Sequence, residues 1–322
     1  MRVALCLSGQ LRTFMDCHED TMRNIVLPYN ADVFIHTWDK TGKSTAIVKY
    51  LPEALWTQLP VGFHRDSSDF ILNEEQAHLK LIFPNLYSYI NKISQADQLV
   101  DIDLLQKLYK PKGCVVEDYS ACNALNKVDL NRLKKSLPTM ALNAIPMFYK
   151  IHACDQLRKN AEIFHGEVYD RVIRLRPDFL LKRELPMEIL AKPGIQTLFN
   201  EAFIDADRAF DAMAIGDAEG MSYYSSLWEN LSYYYDPQND PHCPLHTRGA
   251  EAILFNHLNK IGAGRSTFKL DPMPDRKIEV ISLEKCLNLM EQDLPKARVI
   301  YPDIDSKIAS AIQTEKKLRH DC

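Results

Sequence analysis

The chain opens on an apolar run, Arg2 to Leu7, that stops at Ser8-Gly9. A run this short, bounded by turn residues, predicts a strand buried on both faces. Thr13 to Leu27 has helical composition and ends before Pro28. Ala31 to Trp38, reading ADVFIHTW after the turn residues Tyr29-Asn30, predicts a second buried strand. A strand, a helix and a strand in that order form a βαβ unit with parallel strands.

The following stretch is less regular. Helices are predicted over 45–55, 73–81 and 101–109, and a strand over 114–119. Pro146 then opens a helix from Met147 to Phe164, with Met147, Ile151, Cys154 and Leu157 at helical spacing. A strand over 169–175 ends at Arg176-Pro177-Asp178, and two more are expected over 195–199 and 210–215. Helices follow over 218–233, 248–259 and 305–318. This alternation predicts an α/β fold: a mainly parallel Rossmann-type sheet with helices on both faces and a mostly helical insertion at 45–140. The expected organisation is one domain over 1–322, with halves at 1–185 and 186–322.

Composition narrows the picture. With 322 residues the chain can bury a core without staples. A net charge of −4 argues against a nucleic-acid partner. The eight cysteines show no C-x-x-C spacing, which speaks against a zinc ribbon or a thioredoxin-like motif and suits a reducing compartment. Val3-Ala4-Leu5-Cys6 looks like a lipoprotein cleavage box, but the apolar stretch before Cys6 is too short for a signal peptide. No run reaches the roughly 18 to 20 apolar residues of a membrane span. The expectation is a cytoplasmic protein that touches a membrane only peripherally, through a partner or a lipid-linked substrate.

In such sheets ligands bind outside the carboxyl ends of the strands, where the sequence places unusual polar residues. After the first strand comes Ser8-Gly9-Gln10-Leu11-Arg12. Gly9 permits close backbone approach, and Arg12 can pair bidentately with phosphate or carboxylate. The competing reading is a plain turn with a surface arginine. The second strand ends on His36-Thr37-Trp38-Asp39: Asp39 suits a ribose hydroxyl and Trp38 a base or sugar ring, or else His36 and Trp38 are core and Asp39 caps a helix. In Arg174-Leu175-Arg176-Pro177-Asp178, strand alternation puts Arg174, Arg176 and Asp178 on one side. That set fits a diphosphate with a divalent metal held at Asp178, or a structural Arg–Asp salt bridge. Glu251, opening a helix after His246-Thr247-Arg248-Gly249, is either a general base or a first-turn acid favoured by the helix dipole. Asp211 is its rival as base. Gly42-Lys43-Ser44 lacks the first glycine of a P-loop, and His242 and His246 sit in a proline-bounded loop that is a poor zinc site.

The blocks VALCLSGQLRTF, ADVFIHTWD and YDRVIRLRPDFLL together cover about a tenth of the chain. In their order and spacing they resemble a loosely defined group of bacterial glycosyltransferases encoded with capsule, O-antigen or lipopolysaccharide biosynthesis. The resemblance implies a GT-A-like fold, with a nucleotide-sugar-binding half at 1–185 merged with an acceptor-binding half at 186–322. It implies a nucleotide-sugar donor bound by Ser8, Gly9, Gln10, Arg12, His36, Trp38, Asp39, Arg174 and Arg176, and a glycan or lipid-linked glycan acceptor. Such folds carry an Asp-x-Asp metal motif at the end of the fourth core strand. Here Arg176 takes its first position, so either the arginine replaces part of the charge of an Mn2+ or Mg2+ ion or Asp178 holds the metal alone. A non-catalytic nucleotide- or glycan-binding protein of the same fold, or another anionic group transferase, is the alternative.

Overall fold

The computed structural model describes residues 1–42, 51–56, 79–95, 98–125, 139–198, 209–234, 250–260, 265–270, 275–276 and 280–320. The chain divides into two compact units, 1–41 with 98–277 and 42–97 with 278–322. The division runs differently from the halves expected at 1–185 and 186–322, because 278–322 group with part of the insertion.

The first unit is built on seven strands in one sheet: β1 (Val3–Ser8), β2 (Asp32–Trp38), β3 (Gly113–Glu117), β4 (Arg171–Leu175), β6 (Ile195–Leu198), β7 (Met213–Gly216) and β8 (Arg265–Phe268). Their spatial order is β3-β2-β1-β4-β7-β6-β8. The β3-β2-β1-β4 block is parallel, β7 runs antiparallel to both β4 and β6, and β8 is parallel to β6. The mainly parallel α/β sheet read from the sequence is therefore present. A separate pair joins β5 (Phe179–Leu180) to β9 (Asp275–Arg276).

Period-two alternation sends each strand's side chains to two cores. On one face Ala4, Cys6, Phe34, Val172 and Ala214 meet Ile145, Phe148, Ile151 and Cys154 of the long helix Thr139–His165. On the other, Val3, Leu5, Leu7, Val33, Ile35 and Ile173 meet Phe14, Ile25, Leu105 and Tyr109. Phe14 belongs to α1 (Phe14–Thr21), which continues through a π-turn at Met22–Val26, and Leu105 and Tyr109 belong to α2 (Ile102–Tyr109). Two buried faces explain why the strands read as mostly apolar runs without strict alternation.

The long helix, α3 (Thr139–His165), corrects the sequence reading: it begins before Pro146, which lies inside it. Proline forfeits one helical hydrogen bond there, and the buried Ala144, Ile145 and Phe148 around it hold the turn in the core. The helix expected over 218–233 is broken instead, as α4 (Ala218–Ser225), a 3-10 stretch Ser226–Asn230 and a short turn Leu231–Tyr234. The helix expected from 248 is described as α5 (Ala250–Lys260). The segments predicted helical over 45–55 and 73–81 fall largely outside the described residues.

The second unit has its own apolar core. Leu86 and Ile90 of helix Pro84–Gln95 gather there with Cys286 and Met290 of helix Leu283–Met290 and with Ile304 and Ala311 of helix Ile304–His320. Asp293 ties together the two chain segments of this unit, accepting from the Asn85 backbone N–H and side-chain amide at 2.9 Å each. Among the described residues no helix is long and apolar enough to cross a membrane.

Candidate active site

The chain builds outward from β1 to β2 and β3, then returns to the other side of β1 as β4. The first crossing carries α1 on one face, and the return carries α3 on the other. The carboxyl ends of β1 and β4 are thus a topological switch point, where neighbouring connections part and leave a crevice. The Ser8–Arg12 turn and the Arg174–Asp178 segment both emerge there.

The turn after β1 is conformationally unusual. Gly9 has φ +118, a value that L side chains rarely adopt, although a Cβ there would meet nothing within 4 Å. Arg12 has φ +45, in the left-handed region, and its backbone N–H donates to Thr41 O at 2.6 Å. A non-glycine residue held there costs of order 1 kcal/mol, a strain that concentrates at functional sites. Gln10 is half-buried in the same turn.

The conformation aims Arg12 at the end of β4. Its Nη1 donates to Asp178 Oδ2 at 3.0 Å. Arg176 grips the same carboxylate as a fork, Nε to Oδ1 at 3.1 Å and Nη2 to Oδ2 at 2.9 Å. Asp178 is fully buried, whereas the side chains of Arg12 and Arg176 keep 25% and 17% exposure toward solvent. Asp211, buried just before β7, stands 3.8 Å from Arg176 Nη1. Glu251, half-buried in the first turn of α5, is within electrostatic reach of Arg176, and its carbonyl accepts from Ala209 N–H at 2.9 Å. Burial works to lower the pKa of Arg176, but Asp178, Asp211 and Glu251 together hold it above the usual arginine value. For Arg12 burial wins over Asp178, and the pKa falls. Both remain cations at any physiological pH.

Arg174 lies deeper. It is 2% exposed, and its Nε donates to Ser8 Oγ at 3.2 Å. The structure thus brings together eight of the residues singled out in the sequence, Ser8, Gly9, Arg12, Arg174, Arg176, Asp178, Asp211 and Glu251.

No family model matches the chain, and no curated protein matches it. Among solved structures it is similar to the apo form of mouse xyloside xylosyltransferase 1, at 10% sequence identity and a TM-score of 0.34, over 83% of this chain and 84% of that one. A likeness this distant fixes no function.

His36, Trp38 and Asp39 lie in a second cluster at the ends of β2 and β3. Its centre is a pair that sequence reasoning missed: Lys150 of α3 and Glu117 of β3, joined at 2.8 Å with the lysine side chain fully buried. Tyr149 donates to Glu117 Oε1 at 2.9 Å. The Lys150 ammonium sits 3.4 Å from the centroid of the Trp38 ring, and Tyr119 meets that ring edge-on. Trp38 is buried, so the core reading describes it in this state. Asp39 caps no described helix; its carboxylate accepts from Tyr119 N–H at 3.3 Å and steadies the loop after β3. His36 is driven down to about 3 by burial and by the Lys150 charge, so it is neutral at pH 7. The available signal was the position of Lys150, which falls on the apolar stripe of Met147, Ile151 and Cys154.

Burial also lowers Lys150 from 10.5 to about 8, against the pull of Glu117. Since the unfolded chain binds this proton more tightly, stability should rise with pH between about 8 and 10.5. Urea denaturation of the wild type across that window should show the rise, and Lys150→Met should flatten it. The same slope in both proteins would place the titration elsewhere.

His242 and His246 lie outside the described residues. Among the described residues no group of three or more His, Cys, Asp or Glu side chains is placed to hold a metal ion. Among the described residues, Cys6, Cys114, Cys122, Cys154 and Cys286 are free thiols.

Proposed function

We propose that the chain is a nucleotide-sugar-dependent glycosyltransferase. It would move a sugar from the activated donor to a glycan or lipid-linked glycan acceptor in surface polysaccharide biosynthesis, at the cytoplasmic side. The observation that carries the reading is the convergence of Arg12 and Arg176 on buried Asp178 at the β1–β4 switch point. Two guanidiniums held by one carboxylate, each side chain still partly exposed, suit the oxygens of a diphosphate. Two of the three sequence blocks that resemble bacterial glycosyltransferases, those carrying Arg12 and Asp178, lie on this crevice, which supports sugar as the transferred group.

In the transfer the acceptor oxygen bonds to the anomeric carbon as its proton passes to a carboxylate, assigned to Glu251. The bond from that carbon to the leaving phosphate oxygen breaks, and Arg12 and Arg176 stabilise the charge that gathers there. Asp178 does not fit a divalent cation in this arrangement. Both of its oxygens accept guanidinium N–H groups, and two fixed positive charges adjoin the place an ion would take. We assign it to positioning the arginines, and no step is routed through a metal.

A non-catalytic binder is the second reading, favoured by the same ion pairs, which are complete without a ligand. Incubation with a panel of nucleotide sugars separates the two: an enzyme releases nucleotide from at least one donor, whereas a binder releases none. Arg176→Lys keeps the charge and loses the fork, so calorimetry should show nucleotide affinity falling by about 1–3 kcal/mol. Unchanged affinity with an intact fold would remove Arg176 from the site.

A further inference from the structure

Arg174 has hydrogen-bonding capacity that the fold leaves unused. Register sets it between Cys6 of β1 and Ala214 of β7, two small side chains. Its Nε reaches Ser8, two residues beyond Cys6, so the guanidinium extends along the sheet toward the carboxyl-end crevice. Nη1 and Nη2 are buried with no hydrogen-bond partner. Among the described residues no carboxylate forms an ion pair with Arg174, unlike Arg12 and Arg176. The Tyr224 hydroxyl, from α4 on the same face, is also buried without a partner, and it interacts electrostatically with Arg174 and Asp211. A guanidinium cannot shed its charge, and buried donors left unmet destabilise the fold.

We infer that Arg174 and Tyr224 form a second anion subsite, deeper in the crevice than the Arg12–Arg176 pair, and that it takes a carboxylate. With Nε engaged by Ser8, the free edge is the Nη1/Nη2 end of the fork, which matches the two oxygens of a planar carboxylate. Tyr224 adds a third donor. Asp211 and Asp178 act on Arg174 from nearby, so a monoanion meets less repulsion than a dianionic phosphate. The carboxylate comes either from a free small acid or from the donor sugar. On the donor reading above, on which this assignment rests, the substrate class is a nucleotide sugar of the uronic-acid type. Arg12 and Arg176 would hold its diphosphate, and Arg174 and Tyr224 its sugar carboxylate.

Calorimetry with matched pairs tests this: UDP-glucose against UDP-glucuronate, and GDP-mannose against GDP-mannuronate. A parallel arm follows the melting temperature in sodium acetate, with sodium chloride at equal ionic strength as control. In at least one pair the uronate should bind about tenfold tighter or more, the worth of a hydrogen-bonded charge. Tyr224→Phe should erase most of that preference and leave the neutral member unaffected, and Arg174→Lys should erase most of it as well. Tyr224→Phe removes a hydroxyl that bonds nothing, so it carries the test if Arg174→Lys fails to fold. Acetate protection that depends on both residues, with no uronate preference, would uphold the subsite and overturn the substrate class. The same protection with no nucleotide sugar bound would uphold the subsite while the donor reading fails. Nucleotide sugars bound with neither a uronate preference nor an acetate effect would overturn the subsite and leave the donor reading intact. A preference that survives both variants would overturn it as well.

Discussion

Asp178→Ala is expected to destabilise the first unit by about 3–5 kcal/mol, the loss typical of removing one partner from a buried ion pair. The magnitude follows from the geometry. Asp178 is fully buried and takes three N–H bonds, from Arg12 and Arg176. Without it two guanidiniums stand side by side at short range, and Arg12 loses what draws it toward β4 while its backbone stays in the left-handed region. Asp178→Asn keeps an acceptor oxygen without the charge and should fall between the alanine variant and the wild type. By contrast, breaking the exposed Arg298–Asp305 pair should scarcely move the transition. Urea denaturation measures all three. If Asp178→Ala matches the wild type, the carboxylate is not what holds the two arginines together.

The second large effect is expected at Glu251. Glu251→Gln preserves shape and removes basicity, and it should lower turnover by about 100-fold or more while donor affinity stays nearly constant. Glu251 is half-buried and within reach of the Arg176 field. Asp211 is buried and turned toward Arg176 at 3.8 Å, a place suited to orienting the arginine. Asp211→Asn should therefore cost less in turnover and more in nucleotide affinity. Near-normal turnover in Glu251→Gln would return Glu251 to the helix-dipole role and leave Asp211 as the base.

The parts of this site that were legible in the sequence are those fixed by local periodicity. Short, mostly apolar runs at 3–8, 32–38 and 171–175 identify strands buried on both faces, and period two puts Arg174, Arg176 and Asp178 on one side. The same patterns place Arg12 and Arg176 at the ends of separate strands; that those strands are neighbours is set by the sheet order. Pairing across distance is not local. Nothing near Asp178 says that its partner is Arg12, 166 residues away, and nothing near Lys150 names Glu117. The Arg–Asp salt bridge is present at Asp178, where one carboxylate anchors two arginines; the ligand site proposed there is built on that pair. Pro146 misled because the proline rule describes a first turn, whereas packing of Ala144, Ile145 and Phe148 carries α3 through it. The association of 42–97 with 278–322 rests on an apolar core contributed by both ends of the chain, which no sequence window spans.

The central claim is that a nucleotide's diphosphate occupies the switch-point crevice between β1 and β4. A crystal structure of the protein soaked with a nucleoside diphosphate tests it most directly. The account predicts phosphate oxygens against the Gly9–Arg12 turn and within hydrogen-bonding distance of Arg12 and Arg176, with Asp178 still gripping both. Diphosphate bound elsewhere, with that turn and both arginines unengaged, would contradict it.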